Sequence, residues 1–406
     1  MASNGAKSVI LGGARTPMAE WVGGKTGAGR PGGRLKDISA NELGAIAARA
    51  ALERTGTEPG AVDHVVMGNA LQTSSDAIYG ARHVALRAGL PIEVPALTVN
   101  RLCGSGIQAV VTATQLIQLG EARTVLAGGM ENLSQAPHVI RGARSGLKLG
   151  QGQLEDLLFA SLRDSYCGLL MAETAEKLAR SRGVSRAEQD EFAFRSMAEG
   201  RRAIEAGLFT EEIVPVTVKG PKGPEEVRED DHLFEKPSLE IMNKLPPAFG
   251  KDGMVTAGNA SGIVDGAAAL VVGSPENAKQ RPVLAEVLGW ATTGVDPSIM
   301  GIGPVPAIRR ALERTGLRLA DVDLFEINEA FAAQYLAVEK ELGLDRGRVN
   351  VNGGAIALGH PLGATGARLI LTLALEMRRR RAAHGIASAC IGGGQGIAIV
   401  LRNPQA

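Results

Sequence analysis

The sequence predicts an α/β protein built from two similar halves, and three observations support this fold class. The hexapeptide Ala-Leu-Glu-Arg-Thr-Gly occurs twice, at 51–56 and 311–316, and a Val-Asp pair and an apolar segment follow each copy at the same spacing. Further along, each copy is followed by a glycine-rich turn, a helical stretch and an apolar strand that ends in Gly-Gly. A chain of 406 residues also exceeds the size at which one core usually stops growing. We therefore expect two helix-covered sheets of related plan.

The first half carries a candidate nucleophile. A helix is predicted to end at Gly56, because glycine accepts the left-handed conformation of a C-cap, and a buried-type strand follows it. The turn Asn100-Arg-Leu-Cys-Gly-Ser-Gly106 then precedes a helical run over residues 107–119. Cys103 lies at the N-terminal end of this run, where a helix dipole favours the thiolate. We interpret Cys103 as a nucleophile rather than an inert buried thiol.

A segment of different character separates the two halves. Charged residues crowd 180–212 with helical periodicity, whereas Lys219-Gly-Pro-Lys-Gly-Pro224 and Leu245-Pro-Pro-Ala-Phe-Gly250 are expected to break regular structure. Segments of this kind commonly supply lids and binding loops. We predict an N-terminal half over 1–132, continued at about 263–282, an inserted loop domain over 133–262 that covers a ligand site, and a C-terminal half over 283–406.

The second half offers three polar candidates. Cys390 ends an apolar strand and precedes three glycines, which open backbone N–H groups to a ligand oxygen at the carboxyl edge of a sheet. His360 stands between glycine and proline, so a turn rather than a helix fixes its backbone. Asn328 follows a predicted strand and can hold a water or a substrate oxygen, although such an Asn is by itself more typical of a helix N-cap. Cys167 lacks comparable surroundings, and we interpret it as structural.

Composition excludes several classes of function. The 44 basic residues nearly balance the 43 acidic ones and aromatic residues make up 3% of the chain, so neither net charge nor stacking favours nucleic acid. The three cysteines form no CxxC pair, which indicates a reducing compartment without metal or redox chemistry. No apolar run approaches the roughly 18 residues of a membrane span, and the first residues do not read as a targeting segment. We expect a cytoplasmic protein that needs no cofactor.

Several motifs together resemble the signature blocks of the thiolases. In family order and over nearly the whole chain, they are Asn100-Arg-Leu-Cys-Gly-Ser-Gly106, Thr256-Ala-Gly-Asn-Ala-Ser-Gly262, Asn328-Glu-Ala-Phe-Ala332, Asn352-Gly-Gly-Ala-Ile-Ala-Leu-Gly-His-Pro361 and Cys390-Ile-Gly-Gly-Gly-Gln-Gly396. Other stretches resemble in particular the degradative 3-ketoacyl-CoA thiolases of the mitochondrial type: Ser74-Ser-Asp-Ala-Ile-Tyr79, Asp296-Pro-Ser-Ile-Met-Gly-Ile-Gly-Pro-Val-Pro306 and Gln334-Tyr-Leu-Ala-Val-Glu339. Blocks this long in register make the resemblance specific.

The resemblance implies a fold and an activity. The fold would be the five-layered α-β-α-β-α thiolase arrangement of two βαβαβαββ halves with an inserted loop domain, assembled as a homodimer or homotetramer. The activity would be an acyl transfer of fatty acid β-oxidation and lipid metabolism, in which coenzyme A cleaves a 3-ketoacyl-CoA to acetyl-CoA and a shortened acyl-CoA. The reaction is reversible as a Claisen condensation, and it uses coenzyme A as a substrate without any further cofactor.

The resemblance also assigns roles to residues of this chain. Cys103 would attack the 3-keto carbon with help from His360, and Cys390 would protonate the acetyl-CoA enolate before free CoA accepts the acyl group. A water on Asn328 together with His360 would form one oxyanion hole, and the N–H groups of Cys103 and Gly392 would form the other. The further candidates for binding substrate or CoA are Ser261, Met171, Met300, Phe331 and Lys236.

Departures from the family pattern leave open which residues bind the CoA nucleotide. Many thiolases carry Arg in two places where this chain has Pro221 and Phe234. The basic residues that could replace them, or that are simply solvated charges, are Lys222, Arg228 and Lys236. The stretch 21–34 resembles an insertion without an assigned role.

Two alternative functions remain open. A short-chain acetyl-CoA C-acetyltransferase that forms acetoacetyl-CoA would share the motifs, but these enzymes commonly have His where this chain has Leu170. An apolar residue there favours longer acyl chains if it meets substrate, and has no such effect if it packs inside the loop domain. A non-catalytic thiolase-like protein that binds CoA or lipid is disfavoured, because both cysteines and His360 are present.

Overall fold

The structure, a computed structural model, describes residues 5–22, 32–220, 222–234 and 236–406. The strands are β1 (Ser8–Arg15), β2 (Ala19–Glu20), β3 (His64–Gly68), β4 (Ala96–Val99), β5 (Thr124–Glu131), β6 (His138–Val139), β7 (Glu155–Asp156), β8 (Val216–Gly220), β9 (Gly223–Val227), β10 (Val264–Gly273), β11 (Ala285–Gly294), β12 (Leu324–Ile327), β13 (His384–Ile391) and β14 (Gln395–Arg402). The α-helices are α1 (Ala40–Arg54), α2 (Gly80–Arg87), α3 (Ser105–Gln118), α4 (Leu157–Ser161), α5 (Met171–Arg182), α6 (Arg186–Glu205), α7 (Leu239–Lys244), α8 (Pro304–Thr315), α9 (Ala332–Leu342), α10 (Ala355–Leu358) and α11 (Leu362–Arg380). No helix in these ranges is long and apolar enough to cross a membrane.

Two sheets of matching strand order form the framework. The first runs β4-β3-β5-β10-β1 and the second runs β12-β13-β14-β11. Antiparallel pairing between β1 and β11 joins them into one continuous path. The counterpart of β4 in the second sheet is reduced to a single parallel bridge between Phe325 and Val349. The two halves therefore repeat one strand order, as the duplicated sequence pattern predicts.

Helices on both sides of the sheets complete five layers. Helix α1 packs on β1 and β10 outside the first sheet, and α8 packs on β11 and β14 outside the second. Helices α3 and α11 contact each other between the sheets, where α3 packs on β3 and β5 and α11 packs on β5 and β13. This arrangement confirms the predicted α-β-α-β-α thiolase fold.

The two central helices approach each other at glycines. A Cβ on Gly106 of α3 would lie 2.4 Å from the backbone nitrogen of Ala367 in α11, a distance that real Cβ atoms do not adopt. The absence of a Cβ therefore permits this approach, and it sets the N-terminal ends of both helices side by side. Cys103 immediately precedes α3 and His360 immediately precedes α11, so the helix contact brings these two side chains to one place.

The space between the sheets is filled by aliphatic side chains. Val110 of α3 and Leu369 of α11 are fully buried there, together with Val66 of β3 and Ile399 of β14. Full burial of one such side chain contributes about 1.5–3 kcal/mol. The layer is therefore a solid core, and the site lies at the end of it, where the helices begin.

The segment between β5 and β10 is more regular than the sequence suggests. Its helical periodicity is confirmed by α5 and α6, and α6 begins at a capping box in which Ser185 and Glu188 exchange side-chain hydrogen bonds with backbone N–H groups. The predicted break at 219–224 is narrower than expected, because β8 continues to Gly220 and β9 begins at Gly223, and the two strands pair as an antiparallel hairpin. Pro224 is tolerated within β9, because each strand of a two-stranded ribbon has one unpaired edge where a missing N–H breaks no ladder bond.

Candidate active site

A cavity of about 190 Å³ lies where the two halves meet the inserted segment. Its wall is mainly apolar, and its polar side-chain groups are those of Cys103, His360 and Ser261. The predicted residues that line it are Cys103, His360, Ser261, Met171, Met300 and Phe331. Residues that lie far apart in the sequence are thus brought to one enclosed surface.

Cys103 is held on a tight turn just before α3. It belongs to a one-turn 3₁₀ helix, Leu102–Gly104, in which Leu102 has a positive φ of 44°. Such a conformation costs roughly 1–2 kcal/mol for a residue with a Cβ. Side chains close the turn around it, because Asn100 accepts from the Leu102 N–H at 2.9 Å and the Ser105 hydroxyl donates to the Leu102 carbonyl at 2.7 Å. The turn therefore fixes the thiol at the cavity.

The electrostatics of Cys103 differ from the expectation based on its helix. The backbone N–H of Gly392 and its own N–H both bond to the sulfur, which lowers the pKa of the thiol. Burial outweighs them and raises the pKa of Cys103 from its ordinary value of 9.0 to about 11, and the charge of Glu131 adds to this increase. The sequence prediction that the helix end stabilises the thiolate was therefore wrong in direction. The resting group is a neutral thiol that needs a proton acceptor.

His360 supplies an acceptor of the right kind. Its ring is buried, with Nε2 at 3.3 Å from Asn328 Nδ2 and Nδ1 at 2.7 Å from Thr365 Oγ1. Burial, together with the charge of Arg368, lowers the pKa of the imidazole to about 3. The ring is consequently neutral near pH 7 and available as a base.

Asn328 faces the histidine rather than a helix end. It follows β12 directly, and helix α9 begins four residues later with Phe331 at its N-cap position. The N-cap interpretation of Asn328 was therefore wrong. Its Oδ1 is buried without a hydrogen-bond partner in the described part of the chain, so this oxygen can bind a water or a substrate group.

Cys390 is buried in the last pairs of β13, opposite Gly396 of β14. It packs against Met300 and Ala330, both of which line the cavity. Burial raises the pKa of the Cys390 thiol well above its ordinary value, and the second cause is the charge that Cys103 would carry. Cys103 is thus close enough to influence the ionisation of Cys390.

The buried carboxylate of Glu131 connects the turns around the site. It accepts from the backbone N–H groups of Ala70, Leu71 and Gly363, at 2.8–3.0 Å. Burial raises the pKa of this carboxyl to about 7, although these hydrogen bonds lower it. Glu131 therefore ties the loop after β3 to the first turn of α11, next to the turn of His360.

Several predicted residues do not reach the cavity. Lys236 and Lys222 are exposed, and neither lines it. Arg228 pairs with Glu226 and lines a different cavity of about 310 Å³. Cys167 is partly exposed and outside the cavity lining, as expected for a structural residue. Most of the apparent insertion at 21–34 lies outside the described residues.

The apolar wall and the partner of the histidine were missed by the sequence analysis. Leu133, Leu158 and Leu162 of the inserted segment line the cavity, and Leu170 lies beside them. Nothing in their local pattern separates them from core residues, because they converge only through the tertiary fold. Thr365 carried a weak signal, since a hydroxyl in the first turn of α11 follows the Gly-His-Pro turn.

Family comparisons cover almost the entire chain. The model of the thiolase N-terminal domain matches residues 9–276, and the model of the thiolase C-terminal domain matches residues 281–403. The chain belongs to the thiolase family.

Two names occur among the similar proteins. The chain is 52% identical over 382 residues to the mitochondrial 3-ketoacyl-CoA thiolase of Homo sapiens, covering 93% of this chain and 96% of the relative. It is 49% identical over 381 residues to an acetyl-CoA acetyltransferase of Cupriavidus necator, covering 93% and 97%. The crystal structure of human mitochondrial 3-ketoacyl-CoA thiolase in complex with CoA superimposes with a TM-score of 0.92 at 49% identity, covering 98% of both chains.

Proposed function

We propose that this thiolase is a 3-ketoacyl-CoA thiolase, an acyltransferase that uses CoA to cleave 3-ketoacyl-CoA into acetyl-CoA and a shortened acyl-CoA. The observation that carries the proposal is that Cys103 and His360 line one apolar cavity, while Cys390 packs directly behind its wall against Met300 and Ala330. A neutral base beside one thiol permits covalent catalysis, and a second thiol can move a proton at the departing carbon. The human relative and its crystal structure with CoA support the same activity.

The proposed first half-reaction forms an acyl-enzyme. The Cys103 thiol gives its proton to Nε2 of His360, and the sulfur attacks the 3-keto carbon of the substrate. The bond between C2 and C3 then breaks, and the electron pair forms the enolate of acetyl-CoA. Cys390 protonates that carbon and becomes a thiolate, so acetyl-CoA leaves while the shortened acyl group remains on Cys103.

The second half-reaction returns both thiols to their starting state. The thiol of free CoA gives its proton to the Cys390 thiolate and attacks the acyl carbonyl carbon. The bond to Cys103 breaks, and that sulfur recovers the proton held by His360. We propose that the N–H groups of Cys103 and Gly392, which lower the pKa of the Cys103 thiol, also donate to the carbonyl oxygen in both steps. Each positioned donor of this kind is typically worth ~10²–10³ in rate.

The apolar wall favours acyl chains longer than that of acetoacetyl-CoA. Leu170 lines the cavity with Leu133, Leu158 and Leu162, and none of these side chains can hydrogen-bond a short polar substrate. Each methylene buried against such a wall contributes about 0.8 kcal/mol before the cost of ordering. A second candidate, acetyl-CoA acetyltransferase, is supported by the name of the Cupriavidus necator relative.

The inserted segment and the outer edge of the first sheet support the proposed organisation. We assign 133–262 to a loop domain that covers the CoA site, because Leu158, Phe249 and Ser261 of this segment line the cavity. We also propose a homodimer or homotetramer, because Ile78 and Leu97 are 75% and 43% exposed beside the unpaired edge of β4. Analytical ultracentrifugation measures the oligomeric state.

Two observations bear on the cellular compartment of the protein. All three cysteines are unpaired, as expected for a reducing compartment, and the sequence favours the cytoplasm. The human relative is named as mitochondrial, which favours the other reducing compartment for a protein of this family. Fractionation of cells that express the full chain separates the two assignments.

A thiolysis assay across acyl lengths tests the proposed function. We expect acetyl-CoA and an acyl-CoA shortened by two carbons, with kcat/KM rising from the four-carbon substrate to six and eight carbons. A clear optimum at acetoacetyl-CoA moves the assignment to the acetyl-CoA acetyltransferases. Tight CoA binding without turnover at any length identifies a non-catalytic binding protein.

A further inference from the structure

The two ring nitrogens of His360 have different partners, and neither partner carries a charge. Nδ1 lies 2.7 Å from the hydroxyl of Thr365, and Nε2 lies 3.3 Å from the amide nitrogen of Asn328. The Thr365 hydroxyl is also 3.1 Å from the carbonyl oxygen of Pro361, to which it can donate. The side chains of His360, Thr365 and Asn328 are all buried.

We propose that Thr365 is a positioning residue that holds His360 in the tautomer with the proton on Nδ1 and the lone pair on Nε2. This inference rests on the proposed function, because it specifies how the base of that reaction is prepared. In this tautomer Nε2 carries the lone pair, which accepts from Asn328 in the resting site and must leave that bond to take the Cys103 proton. The opposite tautomer would present an N–H to the thiol and could not accept its proton.

A count of protons supports this tautomer. A threonine hydroxyl has one proton, and if Thr365 donates it to the Pro361 carbonyl, its oxygen accepts from Nδ1–H. The amide nitrogen of Asn328 can only donate, so Nε2 is the acceptor of that bond. This arrangement makes three hydrogen bonds. The opposite arrangement makes two, because Thr365 would donate to Nδ1 and Asn328 would have to turn its amide.

The neutral character of the partner has a consequence for the reaction cycle. A carboxylate in place of Thr365 would orient the ring and also stabilise the imidazolium. Thr365 orients the ring without adding negative charge, and the charge of Arg368 in the same helix acts against the imidazolium. The proton taken from Cys103 is therefore held weakly and is available when that sulfur leaves in the second half-reaction. A base of this kind suits a reaction in which the same thiol is first nucleophile and then leaving group.

The test compares Thr365→Val, which keeps the shape and removes the hydroxyl, with Thr365→Ser, which keeps the hydroxyl. We expect Thr365→Val to lower kcat for thiolysis by ~10–100-fold, the effect usual for removing a group that orients a histidine, with KM changed less than ~3-fold. Thr365→Ser should stay within ~3-fold of the unchanged enzyme in both constants. Equal activity of the Val variant and the unchanged enzyme overturns the proposal.

Nuclear magnetic resonance of the full chain with ¹⁵N-labelled histidine reads the tautomer directly and needs no substrate. The signal that disappears in His360→Asn identifies this ring. We expect a protonated Nδ1 and an unprotonated Nε2 in the unchanged protein and in Thr365→Ser, and loss of this preference in Thr365→Val. A protonated Nε2 in the unchanged protein overturns the proposal, even if the Val variant does not fold. A protein without thiolase activity would instead contradict the proposed function while leaving the tautomer measurable.

Discussion

Cys103 and Cys390 both stand beside glycine-rich turns, yet the fold presents the two thiols differently. Cys103 is partly exposed on a strained turn between β4 and α3, where it opens onto the cavity. Cys390 is completely buried inside the paired end of β13 and contacts the cavity through its neighbours. A nucleophile must be approached along one line by a bulky substrate, whereas a proton carrier only has to reach one carbon. The position of each thiol therefore fits the role proposed for it.

The surroundings of the two sulfurs differ in hydrogen bonding as well. Two backbone N–H groups lower the pKa of Cys103, one of them from Gly392 in the other half of the molecule. Only its own N–H lowers the pKa of Cys390, and a charge on Cys103 raises it. Cys103 is thus the thiol that ionises more readily, and Cys390 stays protonated when Cys103 loses its proton.

The largest expected effect separates the covalent role of the two thiols. Cys103→Ala should abolish the acyl adduct that forms with 3-ketoacyl-CoA in the absence of free CoA, and thiolysis should fall by ~10⁴-fold or more. Intact-protein mass spectrometry measures the adduct, and steady-state kinetics of the unchanged enzyme should follow a ping-pong pattern. Cys167→Ala is the matched control and should keep both the acyl adduct and the thiolysis activity. An adduct that persists in Cys103→Ala removes that residue from the role.

The next comparison concerns the proton that Cys390 is proposed to give to the acetyl-CoA carbon. Cys390→Ala should still become acylated on Cys103 by a simple acyl-CoA, because that step needs no proton at carbon. Cleavage of the carbon–carbon bond should fall by roughly 10²–10⁴, the usual range for general acid–base catalysis. Measuring both reactions in one variant sharpens the contrast. Equal loss of both would mean that the roles are not divided in this way.

The pH dependence of alkylation tests the electrostatics of the nucleophile. A pKa of about 11 instead of 9.0 leaves roughly 100-fold less thiolate on Cys103 near pH 8 than on an ordinary cysteine. The rate of modification by iodoacetamide, followed by peptide mass spectrometry, should therefore keep rising with pH beyond 9. A plateau at or below pH 9 would show that the N–H groups around the sulfur outweigh its burial. A small thiol peptide in the same reaction mixture gives the reactivity of an ordinary thiol with iodoacetamide at each pH.

The smallest expected effect concerns the apolar wall of the cavity, to which Leu170 belongs. Leu170→His should lower kcat/KM for eight-carbon substrates relative to acetoacetyl-CoA, by up to ~3-fold for each methylene that no longer meets an apolar surface. Leu169→His is the matched control, because Leu169 does not line the cavity. Equal shifts in both variants would attribute the effect to the loop rather than to the wall.

Much of the fold could be predicted because the duplication of the two halves is visible in short sequence motifs. The repeated Ala-Leu-Glu-Arg-Thr-Gly helix end and the glycine turns recur at matching places, and the structure confirms two sheets of one strand order. Cys103, His360 and Asn328 could be singled out because the local sequence shows that each lies just after a strand or shortly before a helix. Their roles remain predictions that the experiments above address.

The rest depends on properties that a local pattern does not contain. The pKa of Cys103 follows from burial by distant segments, so helix position alone predicted the wrong direction. The wall of Leu133, Leu158 and Leu162 forms only when the inserted segment folds over the site. Thr365 acquires its importance from a 2.7 Å contact with His360 that no sequence spacing specifies.

The reduced counterpart of β4 limits how copies of the chain can associate through their sheets. Among the described residues, β4 ends the strand order of the first sheet with an open edge, whereas in the second sheet the equivalent position is the single bridge between Phe325 and Val349. Strand addition needs a continuous row of unpaired N–H and C=O groups. A chain with two such edges could grow into a fibre, but a chain with one can pair only once. Edge-to-edge pairing would therefore close at two chains related by a twofold axis.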